Sequence, residues 1–210
     1  MEHSEICNSA VLSGIVNTIP KYSHDIYGEK FYTFELAVKR KSGVYDHLPV
    51  MFSDRICTAD SVRIGDNLAI EGQYRSYNNF HSEGNRLLLY VFVQNLSWEN
   101  GQPAVFFNSL VLKGYICKPV IYRKTPLGRE ISDLLLAVNR SFQKSDYIPC
   151  ITWGRNARYA STLGVGSRLS IEGRIQSREY TKATPEGTVK RTAYEVSVIK
   201  LECQEPVLPG

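Results

Sequence analysis

Apolar and polar residues alternate at every second position along much of the chain. That period predicts strands, whose successive side chains point to opposite faces. In YIPCITW, Tyr147, Pro149, Ile151 and Trp153 share one side, and Ile148, Cys150 and Thr152 share the other. In RLSIEGRIQSREY, Leu169, Ile171 and Ile175 make an apolar face, while Arg174, Gln176, Arg178 and Tyr180 line the opposite one. The earlier half of the chain has segments of the same kind: SAVLSGIVNTI, FYTFELAVKR, HLPVMFS, NLAIEGQYRSY and RLLLYVFVQNLS. They are rich in β-branched, aromatic and other apolar residues and are separated by Gly, Asn and Ser clusters. Residues 57–62, between the third and fourth of these segments, read as a short helix.

The pattern occurs twice. NSAVLSGIV from Asn8 returns as NSLVLKGYI from Asn108, LAVKR from Leu36 as LAVNR from Leu136, and HLPV from His47 as YIPC from Tyr147. After one inserted residue, RIGDNLAIEGQ from Arg63 matches GVGSRLSIEGR from Gly164. The chain is therefore read as all-β with short helices, two copies of one domain in tandem. Five strands with a helix between the third and fourth follow the plan of the OB fold, a partly open barrel. The expected boundaries are 1–100 for a first domain, 101–107 for a linker running into a strand, 108–203 for a second domain and 204–210 for a short tail. Gly72 and Gly173 fall where a barrel strand has to coil sharply. Trp98, at the end of the first copy, is expected to pack between the two domains.

Composition narrows the function. Hydrophobic residues at 43% with 22% charged are those of an ordinary globular protein. There is no membrane-length apolar run, and the acidic start MEHSEICNSAVLSG lacks the basic and apolar regions of a secretory signal, so a cytoplasmic protein without membrane contact is expected. Cys7, Cys57, Cys117, Cys150 and Cys203 are scattered, with no CxxC, and read as isolated thiols. His3, His24, His47 and His81 share no motif, and no phosphate loop, HExxH or GxSxG is present. No enzyme activity, cofactor or metal is expected.

Charge separates the copies. Residues 1–100 hold 9 Lys and Arg against 12 Asp and Glu, net −3, whereas residues 101–210 are net +7. A surface that is aromatic and basic together suits an unpaired nucleic-acid strand, because rings stack on bases of any sequence while cations follow the phosphates. The second copy is expected to carry most of the affinity.

The second copy also resembles a family. AVNR, then Asp146 and Tyr147 leading into a strand that ends WGR, a short helix, a turn with Gly164 and Gly166, and IEGRIQSREY are similar to the bacterial single-stranded DNA-binding proteins. The resemblance runs from about residue 108 to 201. It implies that Phe142, Tyr147, Trp153 and Tyr180 occupy the family's base-stacking positions. The basic residues on or beside those strands, Arg140, Arg155, Arg174 and Arg178, are the candidate phosphate contacts. The loops 140–147 and 178–191 are expected to close over a bound strand. The matching positions of the first copy hold Ser42, His47, Ser53 and Asn79, so the family's rings do not carry over. There Arg75, Tyr77 and Phe80 are the candidate contacts.

The resemblance further implies a role in DNA replication, recombination and repair, and a homodimer presenting four OB folds. Family members end in a long tail with an acidic tip that recruits replication and repair proteins. Here the sequence given stops at LECQEPVLPG. Two other readings stay open at this point: an OB-fold scaffold of replication restart acting through protein contacts, and a single-stranded RNA-binding protein.

Overall fold

The computed structural model describes residues 7–78, 87–99, 104–184 and 187–204. In the first half, β1 (Asn8–Val16), β2 (Lys21–Ile26), β3 (Glu29–Lys39), β4 (Tyr45–Ser53), β5 (Asn67–Asn78) and β6 (Leu87–Trp98) follow one another. The second half repeats them as β7 (Phe107–Ile116), β8 (Ile121–Lys124), β9 (Glu130–Arg140), β10 (Lys144–Trp153), β11 (Arg168–Thr184) and β12 (Gly187–Gln204). A helix, α1 (Arg155–Ala160), lies between β10 and β11.

Within each half the strands run in the order β2-β3-β4-β6-β5-β1, or β8-β9-β10-β12-β11-β7 in the second. The pairings β1–β3 and β7–β9 close each set into a barrel. Five strands of each set form the OB barrel. β2 and β8 are short additions that, among the described residues, pair only with β3 and β9. Their side chains are almost all exposed, so they carry no alternation from which a sequence reading could find them.

The interior follows the period. Phe34, Leu36, Val38, Leu48, Val50 and Phe52 fill the first barrel, and Leu134, Leu136, Val138, Ile148 and Cys150 take the matching places in the second. Coiling needs the glycines of the two IEG sequences. A bulge separates Glu71 from Gly72 and another separates Glu172 from Gly173. A Cβ on Gly72 would lie 2.1 Å from the Phe92 carbonyl oxygen, and one on Gly173 2.6 Å from that of Ser197. A side chain has no room at either crossing.

The expected helix at residues 57–62 is a single 3₁₀ turn, Ala59–Ser61, with no buried residue and no side-chain cap. In the second barrel the same place holds α1, which buries Ala157 and Ala160 three residues apart on one face. Packing of that alanine face is what the first copy lacks. Trp98 also differs from expectation: it pairs with Leu68 inside the first barrel and donates to Asp66 Oδ2 at 3.2 Å, because β6 stays in its own barrel to the end.

The two barrels share one sheet through the antiparallel pair β1–β7, in which Ala10 lies opposite Leu110. These residues are repeat equivalents, so an approximate two-fold axis passes between them. Each barrel then lends its partner a hairpin. Asp146 at the start of β10 accepts from the Ser76 N–H at 2.8 Å, and Ser76 Oγ accepts from the Tyr147 N–H at 2.8 Å. Reciprocally, Asp46 accepts from the Ser177 N–H at 2.8 Å and Ser177 Oγ from the His47 N–H at 3.0 Å. Both carboxylates are buried, so these exchanged bonds also satisfy groups that would otherwise be stranded.

Candidate nucleic-acid interface

β10 presents Tyr147 and Trp153 on the outer side of the second barrel, while Ile148, Cys150 and Thr152 point inward. The two rings remain 42% and 39% exposed. Tyr180 lies on the long β11–β12 hairpin opposite Arg191, with the Arg178 guanidinium 5.8 Å from its ring centre. Arg155 is exposed at the first position of α1. Face and edge of this sheet thus offer flat apolar surface next to exposed cations.

The candidate arginines have different surroundings. Arg178 is largely exposed and only 3.7 Å from Glu195. Arg140 sits 3.6 Å from the buried Asp146, and Arg174 reaches across to Asp46 at 3.3 Å. Asp46 is also held by Arg40, whose Nε donates at 2.7 Å and whose pKa that bond raises. Burial, followed by the neighbouring Arg40, draws the Arg174 pKa down. Gln176 is 7% exposed and donates to the equally buried Glu195 at 2.7 Å. On the outer side of β11 a polar network therefore fills space that strand alternation alone assigns to a ligand.

Phe142 stands apart from the other three rings. It is 94% exposed at the tip of the β9–β10 hairpin, and both it and Gln143 have positive φ, 61° and 55°. That conformation is unfavourable for a bulky residue. The hairpin leans over the first barrel, where Phe142, Arg140 and Lys144 line one wall of a groove of about 750 Å³. The opposite wall is the outer face of β3, β5 and β6.

That wall is aromatic. The Arg75 guanidinium lies 3.8 Å from the Phe92 ring centre, and its Nη2 donates to Gln73 Oε1 at 2.9 Å. His24 stacks on Phe31 with centres 4.8 Å apart, and Phe31 lies 6.0 Å from Phe92. Tyr77 and Tyr90 meet edge to face at 5.9 Å. Burial lowers the Arg75 pKa and raises that of Tyr90. Of these residues only Arg75 and Tyr77 are candidates from sequence. Tyr90 and Phe92 were legible in YVFVQ, where Val91 and Val93 take the inner side and leave the rings outside. His24 was not legible, because β2 has no pattern. Phe80 lies outside the described residues.

Among the described residues no group of three or more His, Cys, Asp or Glu is placed to hold a metal ion, and no helix is long and apolar enough to cross a membrane. The geometry defines a tandem OB-fold protein with exposed rings and cations on its sheet faces. Residues 107–204 match the model of the single-strand binding protein family, so the second barrel is similar to that family.

Single-stranded DNA-binding protein A of Bacillus subtilis is 39% identical over 80 residues, covering 35% of this chain and 46% of that protein. Single-stranded DNA-binding protein 3 of Listeria innocua is 33% identical over 99 residues, covering 44% and 59%. The chain thus spans about half the length of these curated relatives. The crystal structure of the wild-type single-stranded DNA binding protein from Thermus aquaticus is similar over 97% of this chain and 96% of that one, with a TM-score of 0.77 at 21% identity. That likeness extends the shared fold to both barrels.

Proposed function

We propose that this protein binds single-stranded DNA without sequence preference, holding and protecting unpaired strands during replication, recombination and repair. The observation that carries the reading is the outer face of the second barrel, where Tyr147 and Trp153 stay open to solvent on one side of β10. Rings that stay open to solvent, with Arg155 two residues beyond Trp153 and Arg178 beside Tyr180, suit stacked bases and their phosphates. The relatives of this barrel are named for the same activity. Binding of this kind needs no chemistry, so the protein acts as a holder of strands and not as an enzyme.

The working unit in this reading is a homodimer with four OB folds. Replication or repair proteins are its further partners, and the cytoplasm is its place of action. The RNA alternative rests on the same rings and is separated by comparing dT with rU oligomers of equal length.

A titration of intrinsic fluorescence with dT oligomers at several salt concentrations tests the proposal. Trp98 and Trp153 are the two tryptophans, and Trp153→Phe separates their signals. Quenching that disappears with Trp153→Phe, and affinity that falls as salt rises, are expected. Absence of any binding to long dT at low salt overturns the reading.

A further inference from the structure

Among the described residues β12 pairs with β10 only at Cys150 and Ile151, so the first half of β10, which carries Tyr147, has no strand of its own barrel on that side. The first barrel supplies what is missing. Ser76, near the end of β5, shares the inner side of its strand with Leu68, Ile70 and Tyr74 and is buried. Its hydroxyl oxygen accepts from the Tyr147 N–H at 2.8 Å, and its own N–H donates to the Asp146 carboxylate at 2.8 Å. We infer that Ser76 is a positioning residue for DNA binding: through it the first barrel holds the start of β10 so that the Tyr147 ring of the second barrel is set to meet a base.

The two bonds grip successive residues that point to opposite sides of β10. Asp146 points inward, where Arg140 lies 3.6 Å from its carboxylate, and Tyr147 points outward. Holding a side chain on one face and the next residue's N–H fixes both the height of the strand and its rotation about its own axis. Such a rotation would carry the ring off the outer face. A ring held in advance loses less freedom when a base stacks on it. Trp153, at the other end of β10, does not depend on this clamp. It pairs with Ile131, and the following N–H, that of Gly154, donates to the Glu130 carbonyl at 2.9 Å, all within the second barrel. The molecule also contains its own control. Ser177, at the equivalent place in β11, accepts from the His47 N–H at 3.0 Å and donates to Asp46 at 2.8 Å. The same two bonds there hold a residue outside the proposed stacking set.

This inference rests on the strand-binding reading, and the two fail differently. A dT oligomer of about eight nucleotides, within the span of one OB fold, is titrated against Trp153 fluorescence at a temperature where every variant is folded. Ser76→Ala should weaken binding about fivefold, the lower end of what one stacked base contributes, and leave the quenching at saturation unchanged. In a Tyr147→Ala background the same substitution should change affinity by less than about twofold, because its effect passes through that ring. Ser177→Ala should lower the unfolding midpoint as much as Ser76→Ala does and keep dT affinity within about twofold of the parent. A serine with a merely structural role would weaken binding equally with and without the Tyr147 ring. That result, unchanged affinity in Ser76→Ala, or an equal loss with Ser177→Ala would overturn the inference while the strand-binding reading stands. Failure of the parent protein to bind any dT would sink both.

Discussion

The two barrels have the same strands in the same order, yet they arrange rings and charges in opposite ways. The second barrel displays Tyr147 and Trp153 along one strand and places Arg174, Gln176 and Glu195 in a polar network beside them. The first has Ser53 and His47 at the matching positions and gathers its rings on β3 and β6, with Arg75 lying on Phe92. The first copy thus lacks rings at the positions equivalent to Tyr147 and Trp153 but carries an aromatic surface elsewhere on its outer face. Comparing equivalent positions detects only the loss.

The largest expected difference between the barrels concerns the exchanged hairpins. Asp46 is buried with Arg40 and Arg174 as partners, whereas Asp146 has Arg140. Asp46→Ala leaves two guanidiniums without their carboxylate and should lower stability by about 3 kcal/mol. Asp146→Ala should cost about 2 kcal/mol, in the range of hydrogen bonds to a charged group. Urea unfolding of both variants checks the order. Equal losses would mean that Arg174 contributes nothing to the linkage.

Next come the rings at the equivalent positions Tyr147 and His47. Tyr147→Ala should weaken dT binding by about 1–3 kcal/mol. His47→Ala removes an exposed contact to Glu35 at 3.0 Å and should leave DNA affinity as it is. Fluorescence titration of the two variants compares the faces directly. A loss with His47→Ala as large as that with Tyr147→Ala would place both barrels on the strand in the same manner.

A finer effect separates two arginines of β11. Arg178→Ala should reduce the slope of log affinity against log salt by about 0.7, as expected for one phosphate contact on a single strand. Arg174→Ala should leave the slope unchanged and lower the unfolding midpoint, since its partner is Asp46. Equal changes in slope would show that Arg174 leaves Asp46 to meet a phosphate.

The smallest expected effect is at Tyr74, for which the second barrel has Ile175. The Tyr74 ring is wholly buried, its hydroxyl makes no hydrogen bond among the described residues, and burial pushes its pKa well up. Tyr74→Phe should leave stability equal or raise it by up to about 1 kcal/mol. A loss larger than that in thermal or urea unfolding would reveal a partner for the hydroxyl.

What the sequence determined is what depends on local period and repetition. Alternation along β10 and β11 identified the strands and the inner and outer sides, because a strand's side-chain direction is set by its own backbone. The hundred-residue offset established two copies, and the glycines of both IEG sequences marked the bulges. The side of the strand taken by Tyr147 and Trp153 was legible for the same reason, while their choice as stacking rings came from the family resemblance. The tertiary structure alone decided which outward-pointing residues reach solvent. Gln176 alternates like a surface residue and is buried under Glu195, Arg174 is drawn to a carboxylate from the other barrel, and Phe142 projects toward a face that is not its own. Each of these outcomes depends on residues far away in the chain, brought near by the β1–β7 pairing and the exchanged hairpins. A two-residue period carries no record of such neighbours.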